Sequence, residues 1–544
     1  MINVARKMAE VLRDLGISYV FGVPSGNWID FMEGIRLTEG IDFILVSNEA
    51  SGGFMADVQW RLTGRLAACF GTFGPGACNL STGVCGGYLD RSPLLAFADE
   101  MPDEKLSRIV QMNIDNQTLF KPITKWQTRL DPLDVSETLR KAYSISLSEV
   151  PGPVYIGIPA GIGPRESNRE ILSEFQVKSV PNPEKNSIER MKELFFEARK
   201  PLLVLGIASM RFNLRDEVMN IAQKFELPVV LTPMAKGMLP EDHPCYAGVL
   251  AHALSDQVAL TYQQADLVVG IGYDPVEINY EDWMPSVPLI HIDTVPADVD
   301  TEKIHNVCDV TGDLKYTLKC LDALKSGKKA WDLEALAERR NSIFHNLAPP
   351  EEGFEMRTVL AGLRNMLPID GIMTCDVGAH LHLIGQAWKT YSPECQLMTN
   401  GCSSMGFGIP AAISAKLSCP ERQVACVTGD GGFLMMAGEI ATAARLGTKI
   451  VFVLITDRNL SLIKIKQQRK NYEPYGTALF DENYVSSNVF FGVPVLTAQS
   501  KGEYQQALHE AFAAERPVII EARVDTEDYD DLVLKSPAGT IKET

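Results

Sequence analysis

The sequence predicts an α/β protein of three domains, each a mostly parallel sheet with helices on both faces. Strand-length apolar runs alternate with stretches of helical composition along all 544 residues. Turns rich in glycine, proline and asparagine close many of those runs. Two breaks in the rhythm leave three blocks of similar size, 1–165, 185–345 and 354–544. A chain this long exceeds one hydrophobic core, so several domains are expected.

A net charge of −18 without a basic cluster excludes a nucleic-acid footprint. Residues 1–16 follow an amphipathic helical pattern and lack the apolar core and cleavage site of a signal peptide. No apolar run reaches membrane-spanning length, so neither a nucleic-acid nor a membrane partner is expected. The eleven cysteines form no CxxC pair, and several, such as Cys69 and Cys426, lie in apolar runs. They read as reduced core residues of a cytoplasmic protein.

In the first block, 17–23 reads as a strand stopped by the turn Pro24-Ser25-Gly26-Asn27. A second strand over 43–46 leads into Ser47-Asn48-Glu49-Ala50, and a helix over 54–62 follows. The strand 66–70 then meets the turn Gly71-Thr72-Phe73-Gly74-Pro75-Gly76, and 151–159 closes the unit. The polar stretch 163–183 reads as a linker. Strands over 201–205, 228–231, 266–271 and 289–292 make the second block. The charged 325–341 and the proline-containing 348–353 mark its end.

The third block holds the most informative stretch. A buried strand over 424–427 ends in Thr428-Gly429-Asp430-Gly431-Gly432. Glycine lets backbone amides approach an anion closely, and Asp430 is left to hold a cation. A helix over 437–446 and a strand over 449–455 complete a βαβ unit. Asp457 and Asn459 therefore stand on the same carboxyl edge, where open α/β sheets bind ligands. An Asp, a second oxygen ligand one βαβ unit later and a carbonyl beyond it suit Mg²⁺ bridging a diphosphate. Taken alone, the motif is equally a strand turn with a helix-capping Asp. Glu49 alone is an ordinary first-turn acid, Met405 alone an ordinary core residue, and His380 alone an ordinary structural histidine.

Gly429-Asp430-Gly431 with Asp457-Arg458-Asn459 resembles the diphosphate-binding motif of thiamine diphosphate (thiamine pyrophosphate) enzymes. The segments 48–57, 61–64, 74–80, 89–93, 120–125 and 152–154 resemble their acetolactate synthase branch, the catabolic, flavin-independent type above all. The resemblance spans essentially the whole chain. It implies a pyruvate oxidase/decarboxylase-like fold with an N-terminal pyrimidine-binding domain, a central domain and a C-terminal diphosphate-binding domain. The implied cofactors are thiamine diphosphate and Mg²⁺. The metal ligands would be Asp430, Asp457 (where Asn is usual) and the carbonyl of Asn459, with Gly429, Gly431 and Gly432 around the diphosphate. Gly378, Ala379 and His380, in a Val-Gly-x-His pattern, would also meet the diphosphate. Met405 would support the bent cofactor, and the Ser403 carbonyl, at a place where relatives often have Gly, would accept its 4′-amino proton. Asn79 and Pro24 would line the pyrimidine pocket, and Glu49 would hydrogen-bond N1′, a role helped by a protonated carboxyl in an apolar setting.

Departures from the family bear on the substrate. A His-Gln pair of the family is replaced by Gln111 and Met112, and no histidine precedes His243. Gln111 is the nearest catalytic substitute, with Asn113 and Gln117 beside it, unless these are solvated loop residues. Ser25, Gly26, Phe73, Met112, Asn113 and Leu462 are the candidate substrate contacts. Tyr273-Asp274-Pro275 stands where flavin-binding relatives carry an Arg motif, so FAD is not expected. The implied activity is decarboxylation of a pyruvate-like 2-oxo acid, with transfer of the enamine to a second carbonyl. The alternatives are release of an aldehyde, action on an unusual acid such as a sulfonated or aromatic one, or a catalytically silent protein of the same fold. A homodimer or dimer of dimers is expected, with active sites at the subunit interface.

Overall fold

A computed structural model describes residues 2–167, 179–325, 327–526, 529–533, 535–536 and 539–540. After a helix α1 (Val4–Asp14), the first block forms strands β1 (Tyr19–Gly22), β2 (Asp42–Leu45), β3 (Ala68–Gly71), β4 (Leu95–Glu100), β5 (Trp126–Arg129) and β6 (Val154–Pro159). They pair in the order β2-β1-β3-β4-β6-β5, and every pairing is parallel. The middle block forms β7 (Pro201–Leu205), β8 (Val229–Leu231), β9 (Tyr246–Val249), β10 (Leu267–Ile271), β11 (Leu289–Asp293) and β12 (Val307–Thr311). Their order is β9-β8-β7-β10-β11-β12, again parallel throughout.

The last block carries β13 (Ile372–Cys375), β14 (Gln396–Leu397), β15 (Val424–Gly429), β16 (Ile450–Thr456), β17 (Val489–Phe490), β18 (Val493–Ala498) and β19 (Val518–Arg523). They are ordered β14-β13-β15-β16-β19-β18-β17, with only the β17–β18 pair antiparallel. The central strands are buried on both faces, as near-continuous apolar runs require in covered parallel sheets. One apolar core joins the first block to the last, and another joins the middle block to the last.

Four local expectations change. The helix expected from 54 begins at Glu49 (α2, Glu49–Thr63), because the Asn48 side chain accepts the Ala50 N–H at 2.9 Å and caps it. The helix expected over 437–446 is trimmed to 439–445, and another helix precedes it over 430–436, the two meeting at Ala437-Gly438. They are flanked in chain order by α3 (Pro75–Leu89), α4 (Ala379–Ala387), α5 (Gly408–Ser418) before them and α8 (Ser461–Arg469) after, and are α6 (Asp430–Met436) and α7 (Glu439–Arg445). Gly429-Asp430-Gly431 is therefore a strand passing directly into a helix N-terminus. The expected linker holds a short strand, Glu166–Ser167, antiparallel to Ile2–Asn3; its residues 168–178 lie outside the described residues. The charged stretch before 354 contains a helix, Leu333–Asn346.

Candidate active site

β15 and β16 run side by side with Gly429 opposite Ile455, so their carboxyl ends deliver Asp430 and Asp457 to one edge. Asp430 Oδ1 accepts the Gly431 N–H at 2.9 Å, and its Oδ2 accepts the Arg458 N–H at 2.7 Å. Asp457 Oδ1 accepts the Asn459 N–H at 3.0 Å, and its Oδ2 accepts the Ser461 hydroxyl at 2.7 Å. Burial raises both carboxyls above their ordinary range. Asp430 is pushed up to about 7, with the neighbouring Asp457 as the second cause.

A buried Asp430 whose charge is disfavoured by the half-buried Asp457 beside it is what a divalent ion relieves. Among the described residues no three His, Cys, Asp or Glu side chains converge as a metal cage. A cation here would complete its shell with the Asn459 carbonyl and the oxygens of a bound phosphate. The residues therefore fit a diphosphate held through a metal ion.

Asp376, the residue after β13, ties the rest of this edge together. Fully buried, it accepts from Val377 N–H at 2.7 Å, Gly406 N–H at 2.8 Å, Gly408 N–H at 3.2 Å and the Thr428 hydroxyl at 3.3 Å. Burial outweighs those donors and pushes its carboxyl up to about 6. A Cβ on Gly432 would stand 2.7 Å from the Asp376 carboxyl carbon, and one on Gly431 2.8 Å from the Met405 Cε. The glycines are thus needed for close approach, and Met405 closes over α6. Ser403, two residues before Met405, is exposed and has φ 49, in the left-handed region where glycine fits without cost. Its hydroxyl donates to the Asn400 carbonyl at 2.6 Å.

Gly378 caps α4, and Ala379 is its first residue. His380 is 5% exposed, and its Nε2 is buried with no partner among the described residues. Burial pushes the ring down to about 4, although it also bonds to the Asp376 main chain. A neutral ring that donates to that carbonyl presents Nε2 as an acceptor. It becomes a donor to phosphate only when the anion's charge restores the second proton.

On the first sheet, Glu49 opens α2 at 7% exposure, and its Oε2 accepts the Asn79 amide at 3.0 Å. A Cβ on Gly76 would stand 3.1 Å from the Glu49 Oε1, so the start of α3 presses against this carboxyl. Glu439, the buried first residue of α7, accepts the N–H groups of Ser47 and Asn48 at 2.9 and 3.1 Å. The last block thereby fixes the turn that presents Glu49. Sequence reasoning missed Asp376 and Glu439. Asp376 stood in view as an acid directly after an apolar strand, whereas Glu439 carried no signal beyond that of a first-turn acid.

The substrate candidates divide. Pro24 and Gly26 lie exposed in the turn after β1, and the Ser25 hydroxyl donates to Asp99 at 2.6 Å. Phe73 is buried. Met112 is half-exposed with φ 64, and its carbonyl lies against Gly74. Gln111, the candidate substitute for the family's histidine, is exposed in the turn before Met112. Asn113 commits its amide to the Leu106 and Arg108 carbonyls at 3.0 and 2.9 Å, and Gln117 donates to Glu100 and to the Thr128 carbonyl at 2.7 and 3.1 Å. The Asn113 amide holds its own loop, and the Gln117 amide ties its helix to β4 and β5. Leu462 packs against the core while its neighbour Ile463 is 45% exposed, because successive helical residues point about 100° apart.

Three family models match in chain order. They are the N-terminal TPP binding domain of thiamine pyrophosphate enzymes over residues 2–119, the central domain over 188–321 and the C-terminal TPP binding domain over 376–522. A probable acetolactate synthase large subunit of Methanocaldococcus jannaschii is 28% identical over 565 residues, covering 99% of this chain and 94% of its own. An acetolactate synthase of Bacillus subtilis is 27% identical, covering 96% of this chain and 93% of its own. The acetolactate synthase isozyme 1 large subunit of Escherichia coli is 28% identical, with 96% and 94% covered. The chain belongs to the thiamine pyrophosphate enzymes, in their acetolactate synthase-like branch.

Proposed function

We propose that this protein decarboxylates a pyruvate-like 2-oxo acid and transfers the remaining fragment to a second carbonyl, as an acetolactate synthase-like carboligase using thiamine diphosphate and Mg²⁺. One observation carries the reading: a single chain presents the buried Glu49 bonded to Asn79 on one sheet edge and the buried Asp430 beside Asp457 on another. Bound thiamine diphosphate supplies a carbon nucleophile and an electron sink for loss of CO₂.

The chain's own residues bind and orient. Asp430, Asp457 and the Asn459 carbonyl hold the cation. The N–H groups of Gly378 and Ala379, with His380, face the phosphates from a helix start. Met405 props the cofactor on a loop that Asp376 anchors at Gly406 and Gly408. Glu49 holds or releases a proton at its carboxyl, with Asn79 fixing the orientation of that group. Phe73 narrows the apolar wall and limits water. No histidine precedes His243, which leaves the first domain without an imidazole to protonate the fragment and favours its transfer.

A middle domain without flavin is supported by Glu277, which takes up the Ile207 and Met234 N–H groups and the Thr232 hydroxyl at 3.1, 3.0 and 2.9 Å. Those donors lie at the carboxyl ends of β7 and β8, where a nucleotide would need them. Active sites shared between two copies are supported by Leu434 and Met435, exposed at 49% and 56% beside the Met405 loop. No helix among the described residues is long and apolar enough to cross a membrane. The free cysteines, including Cys85 and Cys402 with sulfurs 3.9 Å apart, suit a reducing cytoplasm.

The test is incubation of the purified protein with thiamine diphosphate, Mg²⁺ and a panel of 2-oxo acids, following CO₂ together with acyloin and aldehyde. CO₂ with acyloin is expected. Aldehyde as the main product would replace carboligation by simple decarboxylation, and cofactor binding without CO₂ would overturn the catalytic reading.

A further inference from the structure

Ser25, Thr72 and Asp99 stand at the carboxyl ends of three neighbouring strands, β1, β3 and β4. Glu49 follows β2, the other neighbour of β1. Asp99 is wholly buried, and its Oδ2 accepts the Ser25 hydroxyl at 2.6 Å and the Thr72 hydroxyl at 3.2 Å. Its Oδ1 is sealed from solvent with no partner among the described residues. A Cβ on Gly76 would stand 2.9 Å from the Thr72 Cγ2 and 3.1 Å from the Glu49 Oε1, so Thr72 and Glu49 border the same spot. None of the binding or orienting roles described above uses Asp99.

The donor count decides what this wall can recognise. A carboxylate only accepts, and each hydroxyl has one hydrogen to give. Burial pushes Asp99 up to about 6, against the two donated bonds, which leaves it mainly ionised at neutral pH. With both hydrogens spent on Asp99, the half-exposed Ser25 and Thr72 have only lone pairs left for a further partner, and a buried negative charge lies behind them. A second anion in the substrate would meet repulsion and no donor.

We propose that the Ser25–Thr72–Asp99 wall selects a 2-oxo acid carrying a hydrogen-bond donor, in the simplest case a hydroxyl, on the carbon next to the reacting carbonyl. It rejects an acid with an anionic group at that carbon. Asp99 acts as a positioning residue, through the two hydroxyls it orients. The inference rests on the decarboxylase reading above and narrows its substrate class.

The test compares CO₂ release from pyruvate, 3-hydroxypyruvate and 3-sulfopyruvate by the protein loaded with thiamine diphosphate and Mg²⁺. kcat/KM for 3-hydroxypyruvate should exceed that for pyruvate by about tenfold, the worth of one hydrogen bond, and 3-sulfopyruvate should be the poorest. Asp99→Asn supplies amide hydrogens and loses the charge, so the hydroxypyruvate-to-pyruvate ratio should fall about tenfold while 3-sulfopyruvate gains. Ser25→Ala, on the exposed turn, should lower the same ratio by a smaller factor and serves if Asp99→Asn fails to fold. A wild-type enzyme that prefers pyruvate or 3-sulfopyruvate overturns the inference, as does a ratio unmoved by the variants. CO₂ from pyruvate without hydroxyl preference sinks this inference alone. No CO₂ from any acid, in protein that binds thiamine diphosphate, sinks the decarboxylase reading and this inference with it.

Discussion

The Arg458 N–H donates to Asp430 Oδ2 at 2.7 Å, and this bond ties the two ends of the cation motif together across β15 and β16. Asp457 is thereby held beside Asp430, and desolvation makes both carboxyls costly to ionise without a cation. Asp457→Ala should weaken Mg²⁺ binding, measured by calorimetry in the presence of thiamine diphosphate, by at least about tenfold, since even outer partners of a metal act on that scale. Asp457→Asn keeps an oxygen ligand and should stay within about tenfold of the parent. Parent-like Mg²⁺ affinity in Asp457→Ala would remove Asp457 from the metal site.

Glu49→Gln preserves the size of the side chain and its contact with Asn79 but removes the titrating carboxyl. CO₂ release should fall by about 10²-fold or more, the usual worth of a placed acid or base, with thiamine diphosphate affinity changed only a few-fold. Equal turnover in the variant would show that Glu49 only caps α2.

Asp376 receives four donors in the interior. Asp376→Ala strands three main-chain N–H groups and one hydroxyl without water, so unfolding in urea should shift by at least about 3 kcal/mol. Asp376→Asn keeps one acceptor oxygen and should lose less. If alanine and asparagine cost the same small amount, the hub is not what holds the Met405 loop.

Acid should loosen the junction between the middle and last domains. The rings of His252 and His382 lie 5.6 Å apart. Burial pushes them down to about 3 and about 4, and for His252 the second cause is the neighbouring His382. A histidine whose folded pKa lies below its unfolded value stabilises the fold fully above the unfolded value, 6.5, and loses that contribution as pH falls toward the folded one. The thermal midpoint should therefore drop between pH 6.5 and about 4, and His382→Gln should flatten that drop. A midpoint with the same pH dependence in parent and variant would place the acid-sensitive contact elsewhere.

Much of the fold was legible because its signals are local. A strand buried on both faces must be apolar along its length, as 424–427 and 450–455 are, and glycine with an acid at the strand end marks the ligand edge whatever else the chain does. Helix starts were less legible. Asn48 moved the start of α2 to Glu49, and the break at Ala437-Gly438 lies in a stretch with no composition to announce it.

Periodicity and short motifs were thus sufficient for three parallel α/β units and for placing Glu49, Asp430 and Asp457 at strand ends, since each depends on residues close in the chain. Packing alone decided the rest. It put Gln111 in solvent, committed the Asn113 amide to carbonyls of its own loop, and made Asp376, Asp99 and Glu439 the acceptors that hold the edges in place. Whether a polar side chain is free to meet a ligand depends on which distant donors and acceptors have already taken its bonds. That accounting closes only when the sheets are stacked and water is excluded.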